Sequence, residues 1–178
     1  MAETAERMTR GGVILGYARY IKKKWGKDGL EQCQRAVGMP NAKILEDGWY
    51  PEKVNCDVLH WIADNHGRDE VFKAAVYTVN GNGVIAFAAR MAGIRNVLDR
   101  GVEDYRRNFN FGEIKVNVGD GRATITLTDS PFDELDCYSW QGAFQGVLDM
   151  CKLRGKVEQT ECTFKGGKSC VYEMTWDK

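Results

Sequence analysis

Histidine is scarce in this 178-residue chain, with His60 and His66 the only two. Any mechanism that needs an imidazole base or ligand must draw on that pair. Proline is almost as rare, at three residues, and no Pro- or Ser-rich linker divides the chain. An excess of one charge is missing as well, because 25 Lys and Arg balance 25 Asp and Glu. That balance argues against a dedicated nucleic-acid binder or a polybasic membrane binder, both of which need a basic surplus. No apolar run approaches the ~20 residues of a membrane helix; the longest, Val84 to Ala89, is far shorter. The polar N-terminus, MAETAERMTR, is unlike a signal peptide, so the expected compartment is the cytoplasm. Gly-x-Ser-x-Gly, phosphate-loop and Gly-x-Gly-x-x-Gly motifs are all absent. The acidic pair Asp133-Glu134 reads as helix N-terminal charge and not as a catalytic dyad. The expectation is therefore a non-enzymatic protein.

Apolar residues at 43% and charged residues at 28% are ordinary globular values. The length fits one domain over residues 1–178, with no internal repeat. Up to about residue 110 the periodicity is helical. Ile14, Ala18, Ile21 and Trp25 share one face of a first helix beginning near Gly11, with Gly26 as its stop and a short helix following over Leu30 to Val37. A loop with Pro40 comes next. Val54, Val58, Leu59 and Ile62 mark another helix, ending at Asn65-His66-Gly67. Phe72, Val76 and Val79 mark a third, broken by Asn80-Gly81-Asn82-Gly83. Ile94, Val97, Leu98, Val102 and Tyr105 mark a fourth.

The period then changes to two. Ile114, Val116 and Val118, then Ala123, Ile125 and Leu127, alternate with polar residues around Gly119-Asp120-Gly121. This predicts a hairpin with one apolar face. A helix follows from about Phe132 to Leu153, with Ser130 as cap and Pro131 at its first position. Two short strands, about Lys156 to Phe164 and Ser169 to Trp176, finish the chain. The fold class is α+β, with N-terminal helices packed on a small antiparallel sheet and a hairpin–helix–hairpin C-terminal half.

Cysteine numbers six. In a reducing compartment these are thiols or metal ligands rather than a disulfide frame. A three-residue loop over Lys165-Gly166-Gly167, with Gly167 left-handed, would set Cys162 opposite Cys170. Two neighbouring thiols read either as half of a zinc site, with Cys137 as third ligand, or as small core residues. Gln159, Glu158, Glu161 and water are the candidates for a fourth ligand.

The run Gln159-Thr160-Glu161-Cys162, the Lys165-Gly166 turn and Cys170-Val171-Tyr172 resemble the end of a 4-vinyl-reductase domain. The helix from Cys137 to Gly142, with Gly146 beyond it, resembles the helix preceding that ending. The match covers roughly Phe132 to Trp176. Such domains include sensor modules of phenol-responsive transcription activators, and their fold is similar to TRAPP tethering subunits and, more distantly, to haem nitric-oxide sensors. The resemblance implies a structural zinc on Cys137, Cys162 and Cys170; the family's glutamate position is Gln159 here. It also implies an apolar pocket for a small aromatic ligand, for which Tyr105, Phe109, Val116, Ile125, Trp140 and Phe144 are the candidate walls. Haem sensors of this fold use a helix His and a Tyr-x-Ser-x-Arg motif. The helix over 94–108 has no His and no such motif occurs, so the sequence reading is against haem. The resulting expectation is a ligand-binding sensor or adaptor that forms a homodimer through Ile14, Tyr17, Ile21 and Trp25 or binds a protein partner. A TRAPP-like interaction subunit and an enzyme accessory in tetrapyrrole or small-molecule metabolism are the alternatives.

Overall fold

The computed structural model describes residues 6–39, 43–80 and 92–177. The chain opens with strand β1 (Met8–Arg10), which runs into helix α1 (Gly11–Ala36). Strand β2 (Trp49–Pro51) returns to pair antiparallel with β1 and leads into α2 (Glu52–His66) and α3 (Arg68–Asn80). Helix α4 (Ile94–Asn108) precedes the hairpin of β3 (Glu113–Val118) and β4 (Arg122–Thr128). Helix α5 (Glu134–Met150) is followed by β5 (Gly155–Glu161) and β6 (Cys170–Trp176). The C-terminal strands form one antiparallel sheet in the order β3-β4-β6-β5. The α+β class and the hairpin–helix–hairpin order are as the sequence predicts. Pro40, the Gly81–Gly83 break and the Val84–Ala89 run lie outside the described residues.

Helix α5 is the layer that joins the two halves. One side packs on the sheet, where Cys137, Phe144 and Leu148 meet Ile125, Leu127, Tyr172 and Met174 in one core. The other side receives α3 through glycine. A Cβ at Gly142 would lie 2.5 Å from the Phe72 carbonyl oxygen, and one at Gly146 would lie 3.0 Å from that of Val76. A second core joins α1, α2 and α3 through Ile14, Ile21, Leu59, Ile62 and Val71.

Four expectations are corrected here. Gly26 does interrupt α1, with φ of 75°, but the helix resumes directly after it. The cap of α5 is Asp133, not Ser130: the Asp133 carboxylate accepts the Asp136 amide at 2.8 Å, and the Asp136 carboxylate accepts that of Phe132 at 2.9 Å. Two reciprocal bonds outcompete one hydroxyl, and Ser130 is instead bonded to Tyr105. The final turn is a 3-10 turn over Thr163–Lys165, and Gly166, not Gly167, takes the left-handed conformation. Lastly, Ile14, Tyr17 and Ile21 are buried within the chain's own core. A dimer surface must be solvent-accessible in the monomer, so that face is not one.

Candidate functional site

The three predicted cysteines converge. The Cys137 Sγ lies 3.4 Å from that of Cys170 and 3.9 Å from that of Cys162. Each comes from a different element edge: the first turn of α5, the end of β5 and the start of β6. The β5–β6 pairing contains a register shift between Gln159 and Glu161, after which Glu161 faces Val171. That bulge brings Cys162 to the inner face beside Cys170. All three side chains are buried, and the thiols are free. Burial, then the hydrogen bond to Cys170, pushes the Cys137 thiol up. The Tyr172 hydroxyl donates to the Cys137 carbonyl at 2.9 Å and holds the start of α5 to the sheet.

Of the fourth-ligand candidates, Glu158 pairs with Lys156 at 2.8 Å. The Glu161 carboxylate accepts the amides of Lys168 and Ser169. The Gln159 amide reaches the Tyr172 hydroxyl at 3.5 Å. Thr163 sets its hydroxyl 3.4 Å from the Cys170 sulfur.

The six aromatic and aliphatic candidates line a single cavity of about 400 Å³ between α4, α5 and the β3–β4 face. Tyr105, Phe109, Val116, Ile125, Trp140 and Phe144 all contribute to its wall, as do Val97, Leu98, Val147 and Met150. Tyr105, Phe109, Trp140 and Phe144 form a chain of rings with centroids 4.9 to 5.7 Å apart. The Tyr105 hydroxyl bonds Ser130 at 2.6 Å and the Phe111 carbonyl at 3.0 Å, and burial holds its pKa up at about 12. A smaller hollow of about 160 Å³ adjoins it, sharing Thr78, Val79, Phe109, Trp140 and Ala143, and ends on Tyr17, Asn55, Asp136 and Ser139.

Neither histidine lines the cavity. His60 sits on the outside of α2, 2.7 Å from Asp133, and His66 stacks on Trp25 with centroids 3.7 Å apart.

Sequence reasoning missed a second buried group, Glu52, Cys56 and Asp136, whose ligand atoms lie within 4.8 Å of one another. The spacing Glu52-x-x-Asn55-Cys56 was visible as one face of a helix turn, but nothing local pointed to Asp136 across from it.

No family model matches the sequence, and neither does any curated protein. Solved structures do share the fold. An H-NOX protein from S. oneidensis in the Fe(II)NO ligation state aligns with a TM-score of 0.72 at 11% identity, over 95% of this chain and 99% of the other. An oxygen-binding H-NOX domain related to soluble guanylate cyclases, in its oxygen complex, aligns with a TM-score of 0.72 at 11% identity, over 95% of each chain. An H-NOX structure from work on haem distortion gives the same score, identity and coverage. The haem nitric-oxide sensor-like fold implied by the sequence resemblance is therefore the fold this chain has.

The sequence expectation against haem is corrected by this result. That expectation rested on a missing helix His and a missing motif, whereas the fold is shared with haem-bearing H-NOX structures. Val97, Leu98, Val116, Phe144 and Val147 give the cavity apolar walls of the kind a porphyrin's hydrocarbon body packs against. Of the side-chain types that ligate haem elsewhere, the lining holds Met150 and Tyr105, and the Tyr105 hydroxyl is already committed to Ser130 and the Phe111 carbonyl.

Proposed function

We propose that this chain is a small-molecule sensor module whose ligand occupies the apolar cavity between α4, α5 and the sheet. The observation that carries the reading is the cavity itself. Its volume of about 400 Å³ lies within the range of ligand pockets, and its wall is mostly aromatic and aliphatic, with Thr78, Asp104, Tyr105 and Asn108 as the polar members. The fold supports it, because the similar structures include iron–nitric oxide and oxygen complexes. A haem in the cavity would supply that gas-binding chemistry; a flat aromatic molecule would use the same walls without it. In either case α4 and α5 shield the ligand from water, and α5 couples the cavity to the α1–α3 layer through its close contact with α3.

The resemblance to 4-vinyl-reductase sensor modules adds a structural zinc on Cys137, Cys162 and Cys170. A tetrahedral zinc with Zn–S of about 2.3 Å separates its sulfurs by about 3.8 Å. The Cys137 distances of 3.4 and 3.9 Å bracket that value. Such a zinc would clamp the first turn of α5 to the β5–β6 hairpin.

The test is a titration of the purified full chain with haem, followed by the Soret band, and in parallel with the apolar dye 1-anilinonaphthalene-8-sulfonate. Saturable binding of one equivalent of either, lost when Val116→Phe fills the cavity, is expected. No saturable binding of either probe, or binding indifferent to the substitution, would overturn the reading.

A further inference from the structure

The second buried group lies at the far end of the smaller hollow, which Asn55 and Asp136 help to line. Glu52 opens α2 at 1% exposure, with Asn55 at 3% and Cys56 at 2% on the same face of the first turn. Asp136 faces them from the first turn of α5, also at 3%. Glu52 Oε1 accepts from Asn55 Nδ2 at 2.9 Å and lies 3.8 Å from Cys56 Sγ. Its other oxygen, Oε2, and the Asn55 amide oxygen are buried with no hydrogen-bond partner. Asp136 is held by the Phe132 amide at 2.9 Å and the Ser139 hydroxyl at 3.3 Å. The Thr9 hydroxyl lies 3.4 Å from the Asn108 carbonyl and also acts on Glu52 as a hydrogen-bond donor.

Two carboxylates and a thiol have thus been taken out of water together. Among the described residues, no Lys, Arg or His forms an ion pair with Glu52 or Asp136. Arg7 acts on Asp136 from a distance only. Burial, with the mutual repulsion of the two carboxylates, pushes Glu52 up to about 8, and burial raises the Cys56 thiol. An unpaired buried charge is costly, and so is an unpaired amide oxygen. A dication held by the converging Glu52, Cys56 and Asp136 ligand atoms would offset the burial of all three together.

We propose that Glu52, Cys56 and Asp136, with the Asn55 amide oxygen as fourth donor, form a structural site for a divalent metal ion of the zinc class. The donor set of one thiolate and hard oxygens suits zinc better than magnesium or calcium, which take oxygen alone. A tetrahedral zinc with Zn–S near 2.3 Å and Zn–O near 2.0 Å separates sulfur from oxygen by about 3.5 Å. The Cys56–Glu52 separation of 3.8 Å is within a small adjustment of that edge. Metal binding releases the protons that the apo group holds. The site ties α2 to α5, whereas the thiol cluster ties α5 to the sheet, so adjacent residues Asp136 and Cys137 serve opposite sides of one helix turn.

The experiment is native mass spectrometry of the full chain, stripped with chelator and reloaded with Zn²⁺ alone, with circular dichroism recorded on every sample. Wild type is expected to hold two zinc ions. Cys56→Ser is expected to hold one, and the Cys162→Ser/Cys170→Ser double variant is expected to hold the other one. Glu52→Gln is a second probe with the same expectation as Cys56→Ser, should either variant lose its fold. If wild type holds a single zinc that Cys56→Ser removes and the double variant keeps, the inference stands and the three-thiol zinc falls. A zinc count that neither Cys56→Ser nor Glu52→Gln lowers in folded protein overturns the inference, as does a folded wild type that takes up no zinc.

Discussion

The sulfur of Cys137 lies 3.4 Å from the sulfur of Cys170, although 33 positions separate them in the chain. One belongs to a helix and the other to a strand, and the contact is where α5 meets the sheet. This edge also carries the Tyr172–Cys137 bond, so packing and hydrogen bonding converge on the point where a metal would add most.

If the proposed zinc sits on these thiols, removing it should loosen this edge. Chelator is expected to lower the melting midpoint of the wild type. If the lost clamp contributes about 3 kcal/mol, the fall is about 6–12 °C for a chain of this length. Cys170→Ser should melt lower from the outset and respond less to chelator. Differential scanning calorimetry checks both.

Filling the cavity should separate binding from stability. Val116→Phe places a ring into the open volume beside Ile125 and Phe144. Ligand affinity is expected to fall at least about tenfold, which corresponds to about 1.4 kcal/mol. The melting midpoint should stay level or rise, because the new ring occupies existing space. Dye titration and thermal melts on the same sample provide the check.

The α3–α5 contact depends on the absence of a side chain. Gly142→Ala would set a methyl 2.5 Å from the Phe72 carbonyl oxygen and 3.0 Å from the Ala75 Cβ. Both neighbours are helix atoms with little room to retreat. A loss of about 2–3 kcal/mol in urea unfolding is expected.

Glu70 ties α3 to α1 by bonding Lys24 and Lys73 at 2.8 Å and Tyr20 at 2.7 Å. These partners, Lys24 first, pull its pKa down to about 2. A depressed carboxyl stabilises the fold at pH values above its unfolded pKa, and that contribution disappears as pH falls through the folded value. Glu70→Gln is therefore expected to cost about 1 kcal/mol at pH 7, discounted for the exposed lysines. The gap to wild type should narrow between about pH 4.5 and pH 2. Urea titrations across that range measure it.

Local order was legible in the residues themselves. Alternation through Ile114–Val118 and Ala123–Leu127 marked the hairpin, and the observed register pairs Val116 with Ile125. The helical stripes placed α2, α4 and α5 because periodicity reflects which face each element must bury. Convergence of Cys137, Cys162 and Cys170 was partly legible, since strand pairing brings Cys162 near Cys170 once the loop register is known. The position of the left-handed glycine was not, because Gly166 and Gly167 are equally permissive and it was the 3-10 turn over Thr163–Lys165 that ended on Gly166.

Three-dimensional packing decided the rest. Ile14, Tyr17 and Ile21 form an apolar helix face that reads equally well as a dimer surface or a core; contact with α2 and α3 made it core. The buried group of Glu52, Cys56 and Asp136 was invisible for the same reason. A side chain's neighbours along the sequence report its helix face, whereas its charge environment depends on what another element brings opposite. The sequence by itself determined the elements, the apolar faces and the cysteine-bearing hairpin. Only the tertiary structure decided which faces meet, and so where the cavity opens and which acidic groups share one dry site.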